Sequence, residues 1–209
     1  MKNLIICCAA MVLLCSSFFK ASDALSINLS SSKDTSTDFI IYTIKSGQHY
    51  ADRNVYKKVN IPEMKFRVRF DSSALYQSLT NENQYDINKL YGFADNNATH
   101  HQYSARIGWR WSDNALRLFG YVYNNGIVSA EEITTVGINK EIECSIKAVG
   151  NEYIFSVNEA QLKMHRESTT LAAEGYQLYP YFGGDETAPH DVRIWIGASS
   201  LEKEKAIDQ

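Results

Sequence analysis

Between residues 102 and 123 the chain reads QYSARIGWRWSDNALRLFGYVY, two runs of alternating apolar and polar positions on either side of Asp113-Asn114. A period of two, broken by residue types that tolerate a left-handed backbone, predicts a long β-hairpin. With a two-residue turn Ser112 opposes Ala115, Trp111 opposes Leu116 and Trp109 opposes Leu118, whereas a three-residue turn would change these pairs. Directly opposed residues share a face. One face then carries Ala105, Ile107, Trp109, Trp111, Leu116, Leu118 and Val122, and reads as core. The other carries Ser104, Arg106, Arg110, Arg117, Phe119, Tyr121 and Tyr123, which is too aromatic and too basic for an ordinary solvated surface.

The same period recurs along the chain. Residues 39–44 form a candidate first strand, and Met64, Phe66, Val68 and Phe70 alternate with Lys65, Arg67, Arg69 and Asp71. Ile142, Cys144, Ile146 and Ala148 repeat the pattern, Val149-Gly150-Asn151 turns that strand into residues 152–157, and Val192, Ile194 and Ile196 close it. Only residues 86–90 and 161–171 invite a short helix. Many strands joined by Gly, Asn and Asp turns predict an all-β fold, a two-sheet antiparallel β-sandwich or jelly roll over residues 39–199. No internal repeat is present, and residues 200–209 read as a polar tail.

The N-terminus has a different grammar. Lys2, the apolar run of residues 4–14 and a small-residue stretch ending Ala21-Ser22-Asp23-Ala24 follow the order of a secretory signal peptide over residues 1–24. A second processing route also fits, because Val12-Leu13-Leu14-Cys15 resembles a lipoprotein signal, although Leu14 stands where such signals prefer a small residue. Residues 25–38, rich in Ser, Thr and Asp, read as a flexible leader. The expected location is therefore outside the cytoplasm: periplasm, cell surface or medium, with the membrane involved only through the lipid-anchor route. Cleavage after Ala24 leaves Cys144 as the single cysteine, so neither a disulfide framework nor a cysteine metal site is expected.

Charge narrows the partners. The full chain has 21 basic and 24 acidic residues, and loss of Lys2, Lys20 and Asp23 leaves a net charge near −4. That balance, with no basic tract and no zinc signature, argues against nucleic acid.

The order of these pieces resembles the concanavalin A-like lectin and glucanase superfamily, the jelly roll shared by laminin-G-like modules and polysaccharide lyases. Three stretches carry the resemblance: residues 104–123 as the central hairpin, NEYIFSVNEAQL at residues 151–162, and HDVRIWI at residues 190–196 as the final strand. The resemblance implies a saccharide on the concave sheet. It also implies that a glucanase would carry alternating acids in a pattern such as Glu-x-Asp-x-x-Glu, which is absent here. Glu131 and Glu132 point to opposite faces, and Glu141 and Glu143 share a strand whose other side reads as core, so a retaining glycosidase is not expected.

Two functions follow as expectations. The first is an exported carbohydrate-binding or adhesion module whose ligand, a poly- or oligosaccharide with acidic groups, meets His49, His101, Arg106, Arg110, Arg117, Phe119, Tyr121 and Tyr123. The alternative is a polysaccharide lyase acting on a uronate glycan. Its elimination needs a group to neutralise the carboxylate, a base for the C5 proton and an acid for the leaving oxygen. Arg106 fits the first role, His101 or His190 the second, and Tyr121 or Tyr181 the third. LYPYFGGD at residues 178–185 is similar to the tyrosine-bearing strand of alginate-lyase-like enzymes, but the Lys and later Tyr-x-Gln of that strand are missing, as are the Arg-rich and Gln-x-His motifs. A plainer reading stands beside both, in which the arginines pair with acids such as Asp113 and the Gly183-Gly184 loop is a structural corner. No metal site or cofactor is expected; Asp185, Glu186 and Asp191 leave calcium open without matching a calcium loop.

Overall fold

A computed structural model describes residues 39–199; the signal, leader and tail readings lie outside those residues. Twelve strands are present among them: β1 Phe39–Ile44, β2 Lys58–Ile61, β3 Glu63–Phe70, β4 Asn88–Ala94, β5 Ser104–Ser112, β6 Ala115–Asn124, β7 Ile127–Val136, β8 Glu141–Val149, β9 Glu152–Val157, β10 Ala160–His165, β11 Ala173–Leu178 and β12 Val192–Ala198. They form two six-stranded antiparallel sheets, ordered β1-β12-β3-β8-β9-β10 and β2-β11-β4-β5-β6-β7. This is the all-β sandwich that the alternation predicts.

The β5–β6 hairpin adopts the two-residue register, with Arg106 opposite Tyr121, Trp109 opposite Leu118 and Ser112 opposite Ala115. Asp113 and Asn114 both have positive φ, 53° and 57°, as a primed turn requires for its twist to match the strands. Its apolar face meets the other sheet. Trp109 is fully buried, with its ring centroid 5.4 Å from that of Phe70 on β3, and Phe66 on β3 lies 5.1 Å from Tyr91 on β4. Such edge and tilted contacts add to the stabilisation from apolar area removed from water.

Neither segment that invited a helix forms one of length. Residues 86–90 follow a single 3-10 turn at Asn83–Tyr85 and enter β4, while residues 161–165 lie in β10. In β10, Leu162 and Met164 alternate onto the core, so the period of two prevails. Strand β4 has an irregularity between Lys89 and Tyr91. Lys89 opposes Gly108, Tyr91 opposes Ile107, and the extra residue Leu90 is fully buried. The bulge therefore sends two successive apolar side chains inward and leaves Lys89 on the outer face.

Candidate functional site

The outer face of β4, β5, β6 and β11 is roofed on one side by residues 48–56 and 179–184, leaving a cleft of about 560 Å³. Those two segments are joined by main-chain hydrogen bonds from Phe182 N to His49 O at 2.7 Å and from Ala51 N to Pro180 O at 3.3 Å. Tyr181 is fixed to β4 by a reciprocal pair with Lys89, 2.8 and 2.9 Å. Seven tyrosines line the cleft: Tyr50, Tyr56, Tyr121, Tyr123, Tyr176, Tyr179 and Tyr181. Their rings hold one another: Tyr50 meets Tyr181 edge-on at 4.9 Å, and Tyr121 meets Tyr123 at 5.8 Å.

Arg106 forms the floor. Its side chain is buried, only 8% exposed, and its Nε has no hydrogen-bond partner among the described residues. Burial lowers its pKa to about 10, against the opposing influence of the phenols of Tyr121, Tyr176, Tyr123 and Tyr181, so it remains a cation at neutral pH. A buried guanidinium nitrogen without an acceptor is costly, because its desolvation is not repaid by a hydrogen bond. Tyr121, by contrast, is held protonated well above the ordinary phenol range, first by burial and then by Tyr123.

The histidines divide. His101 is exposed at the cleft wall with its ring 5.5 Å from Tyr123, and His100 lies against it at 4.1 Å. Burial, with Arg106 and His101 beside it, pushes the His100 imidazole down to about 4, so it is neutral at neutral pH; its Nδ1 lies 3.0 Å from the Tyr176 hydroxyl. His49 backs the cleft by stacking on Tyr181 at 5.2 Å, with Nδ1 2.8 Å from Phe182 O. His190 lies elsewhere, with Nε2 2.9 Å from Ser73 O, and does not line the cleft.

Arg110, Arg117 and Phe119 also fall outside it. Gly108 lies between Arg106 and Arg110, and a Cβ there would meet the Ile87 side chain at 2.5 Å. Ile87 thus covers the sheet at this point and splits its outer face in two. Beyond it Arg110 lies over Phe119 at 4.8 Å and Tyr85 at 5.2 Å, and donates to Tyr85 O at 2.8 Å. Phe119 is consequently buried beneath a guanidinium, although it sits on the outer face. Arg117 pairs with Glu132 at 3.1 Å and Asp113 at 3.4 Å. These acids relieve the repulsion that opposed arginines would otherwise suffer.

The Gly183-Gly184 loop borders the cleft through Gly184, and the nearby acids are engaged by protein donors. Glu186 accepts from Leu79 N, Thr80 N and Asn83 Nδ2, and Asp191 accepts from Lys45 Nζ and Ser46 N. Gly184 has φ of 78°, and a Cβ there would overlap the Asp86 carboxylate. Gly184→Ala is therefore expected to cost about 1–3 kcal/mol through combined strain and overpacking, read as a lower urea midpoint with unchanged slope.

No protein-family model matches the chain, and no curated protein matches it in sequence. Solved structures match it in fold. The alginate lyase AlyC3 superposes with a TM-score of 0.54 at 10% identity, covering 78% of this chain and 74% of its own. A glycoside hydrolase family 16 endo-glucanase from Bacteroides ovatus reaches 0.49 at 10% identity, covering 78% and 80%. A carbohydrate-binding module from Bacillus subtilis reaches 0.38 at 8%, covering 78% and 98%. The AlyC3 superposition, with the two antiparallel sheets, gives the fold as the concanavalin A-like jelly roll. At such identities, site chemistry must be argued from this chain's own residues.

Proposed function

We propose that this chain is an exported module that binds an acidic saccharide in the tyrosine-lined cleft, with a carboxylate of the ligand seated on Arg106. The observation that carries this reading is a buried arginine, its Nε without a hydrogen-bond partner among the described residues, on the floor of an open aromatic cleft. A carboxylate supplies the missing acceptor in a geometry that guanidinium matches. The tyrosine rings offer flat apolar faces for the C–H faces of pyranoses and hydroxyls for their rims. Fold likeness to carbohydrate-active proteins agrees with this reading without specifying the sugar.

A second reading, β-elimination on a uronate glycan, is favoured by one arrangement: Tyr121 is opposite Arg106, and His101 stands at the same wall. In that chemistry Arg106 neutralises the carboxylate and His101 takes the C5 proton. The C4–O bond breaks as a C4–C5 double bond forms, and the Tyr121 hydroxyl protonates the departing oxygen.

The chain should be incubated with alginate, glucuronan, pectate and glycosaminoglycans while retention and ultraviolet absorbance of the unsaturated product are followed. Retention without new absorbance is the expected result. Absorbance that disappears in Tyr121→Phe would establish elimination, and neither retention nor new absorbance with any acidic glycan would overturn both readings.

A further inference from the structure

The cleft does not end at Arg106. A second depression of about 370 Å³, lined by Tyr85, Ile87, Val128 and Ala130 among others, shares Lys89, Tyr121 and Gly184 with the first. The two together form a path from the roofing loops to the exposed edge strand β7. Lys89 stands at their junction because the β4 bulge turns it outward. Its Nζ donates to Ile87 O at 2.8 Å and lies 4.7 Å from the Tyr121 ring centroid. One of three ammonium protons is thereby used, leaving two to offer.

The groups facing Lys89 come from four elements. Arg106 projects from β5, Tyr121 from β6, Asp86 from the segment before β4, and Tyr181 from the loop after β11. Asp86 is the acid among them, and it closes no ion pair with Lys89. Two neighbouring cations, Arg106 buried and Lys89 partly buried, neither paired with a carboxylate, repel each other. An anion entering between them converts that repulsion into attraction at both ends.

Building on the acidic-saccharide reading, we propose that Lys89 is a second anion contact, and that the path takes an interior stretch of a polyuronate chain, with one carboxylate on Arg106 and a neighbouring acid group on Lys89. A ligand that leaves by way of β7 can continue past the protein, which a closed pocket for a chain end would forbid.

The protonation of Lys89 makes this testable. Burial first, and Arg106 second, lower its ammonium to about 8. A bound carboxylate favours the charged form and raises that value, so binding takes up a proton above pH 8. Affinity should be flat below pH 8 and fall as pH rises through it, by up to about tenfold per pH unit while one proton is linked.

Hexamers and dimers of alginate and of oligogalacturonate should be titrated calorimetrically into the whole chain, between pH 6.5 and 9.5, in buffers of different ionisation enthalpy. The expected result is hexamer binding at least tenfold tighter than dimer binding, with proton uptake near pH 8.5. Lys89→Met should remove the uptake near pH 8.5 and flatten the profile up to pH 9; Lys89→Arg should keep the affinity and carry it to pH 9, below the range in which Arg106 itself titrates. Arg106-dependent hexamer binding with no proton uptake, or with Lys89→Met indistinguishable from the parent, would overturn the role of Lys89 while leaving the acidic-saccharide reading intact. Equal affinity for dimer and hexamer would overturn the extended path. Binding that survives unaltered in Arg106→Met, or no binding of either uronate, would remove the underlying reading itself.

Discussion

Replacing Arg106 with Met is expected to abolish retention of acidic glycans while raising the thermal midpoint of the protein. Truncating one partner of a buried, hydrogen-bonded charge contact typically costs about 2–5 kcal/mol of binding, so affinity should fall roughly thirtyfold or more. Stability should move the other way. In the free protein this guanidinium is desolvated, its Nε lacks an acceptor, and Lys89 stands nearby. Met fills similar volume without a charge to desolvate, and relief of a site strained for function commonly returns about 0.5–2 kcal/mol. For a domain of this size that is a rise of roughly 1–8 °C. Differential scanning fluorimetry beside affinity electrophoresis reads both quantities. Loss of binding together with a lower midpoint would make Arg106 a structural residue instead.

The opposite outcome is expected at Asp95, which is fully buried at the end of β4. Arg166 Nε and the Tyr153 hydroxyl donate to Oδ2 at 2.8 and 2.6 Å, while Asn96 N and Glu174 N donate to Oδ1 at 2.7 and 3.1 Å. Arg166 is satisfied in turn by Gly150 O and Ala172 O. The network joins β9 and the end of β10 in one sheet to β4 and the start of β11 in the other. Removing the carboxylate charge leaves Arg166 as an uncompensated buried cation. Asp95→Asn should cost about 3–5 kcal/mol, a large part of the total stability of an ordinary domain. Burial alone would push the Asp95 carboxyl up, but the Arg166, Tyr153 and backbone donors outweigh it and hold the carboxyl below its ordinary range. Its folded value is lower than its unfolded one, so its stabilisation is present above the ordinary carboxylate range and is lost as pH falls through the folded value. Denaturant midpoints measured from pH 7 down to pH 2 should therefore show an acid limb in the parent that is shallower in Asp95→Asn.

The hairpin was legible in the sequence because its alternation is unbroken and Asp113-Asn114 suits a primed turn. Arg106, Tyr121 and Tyr123 were placed on one face by parity alone, and they meet in the cleft. Lys89 escaped that reasoning because a bulge resets parity within β4, and bulges leave no reliable mark on a single sequence. The neutralisation of Arg117 was half legible: Asp113 is local, but Glu132 arrives through the β6–β7 pairing, which is itself shifted between Leu118 and Phe119. Tyr50, Tyr56, Tyr176 and Tyr179 reach the site through long-range pairing, and no local pattern marked them.

The roofing loops are tied to each other through main-chain atoms, as in the contacts between Phe182 and His49 and between Ala51 and Pro180. Val55 and Tyr56 on their rim are largely exposed and take no part in those main-chain ties. Those two rim positions can therefore change without disturbing the attachment of the loops. On the proposed saccharide reading, ligand preference can be retuned by editing the canopy while the guanidinium beneath it and the scaffold are kept.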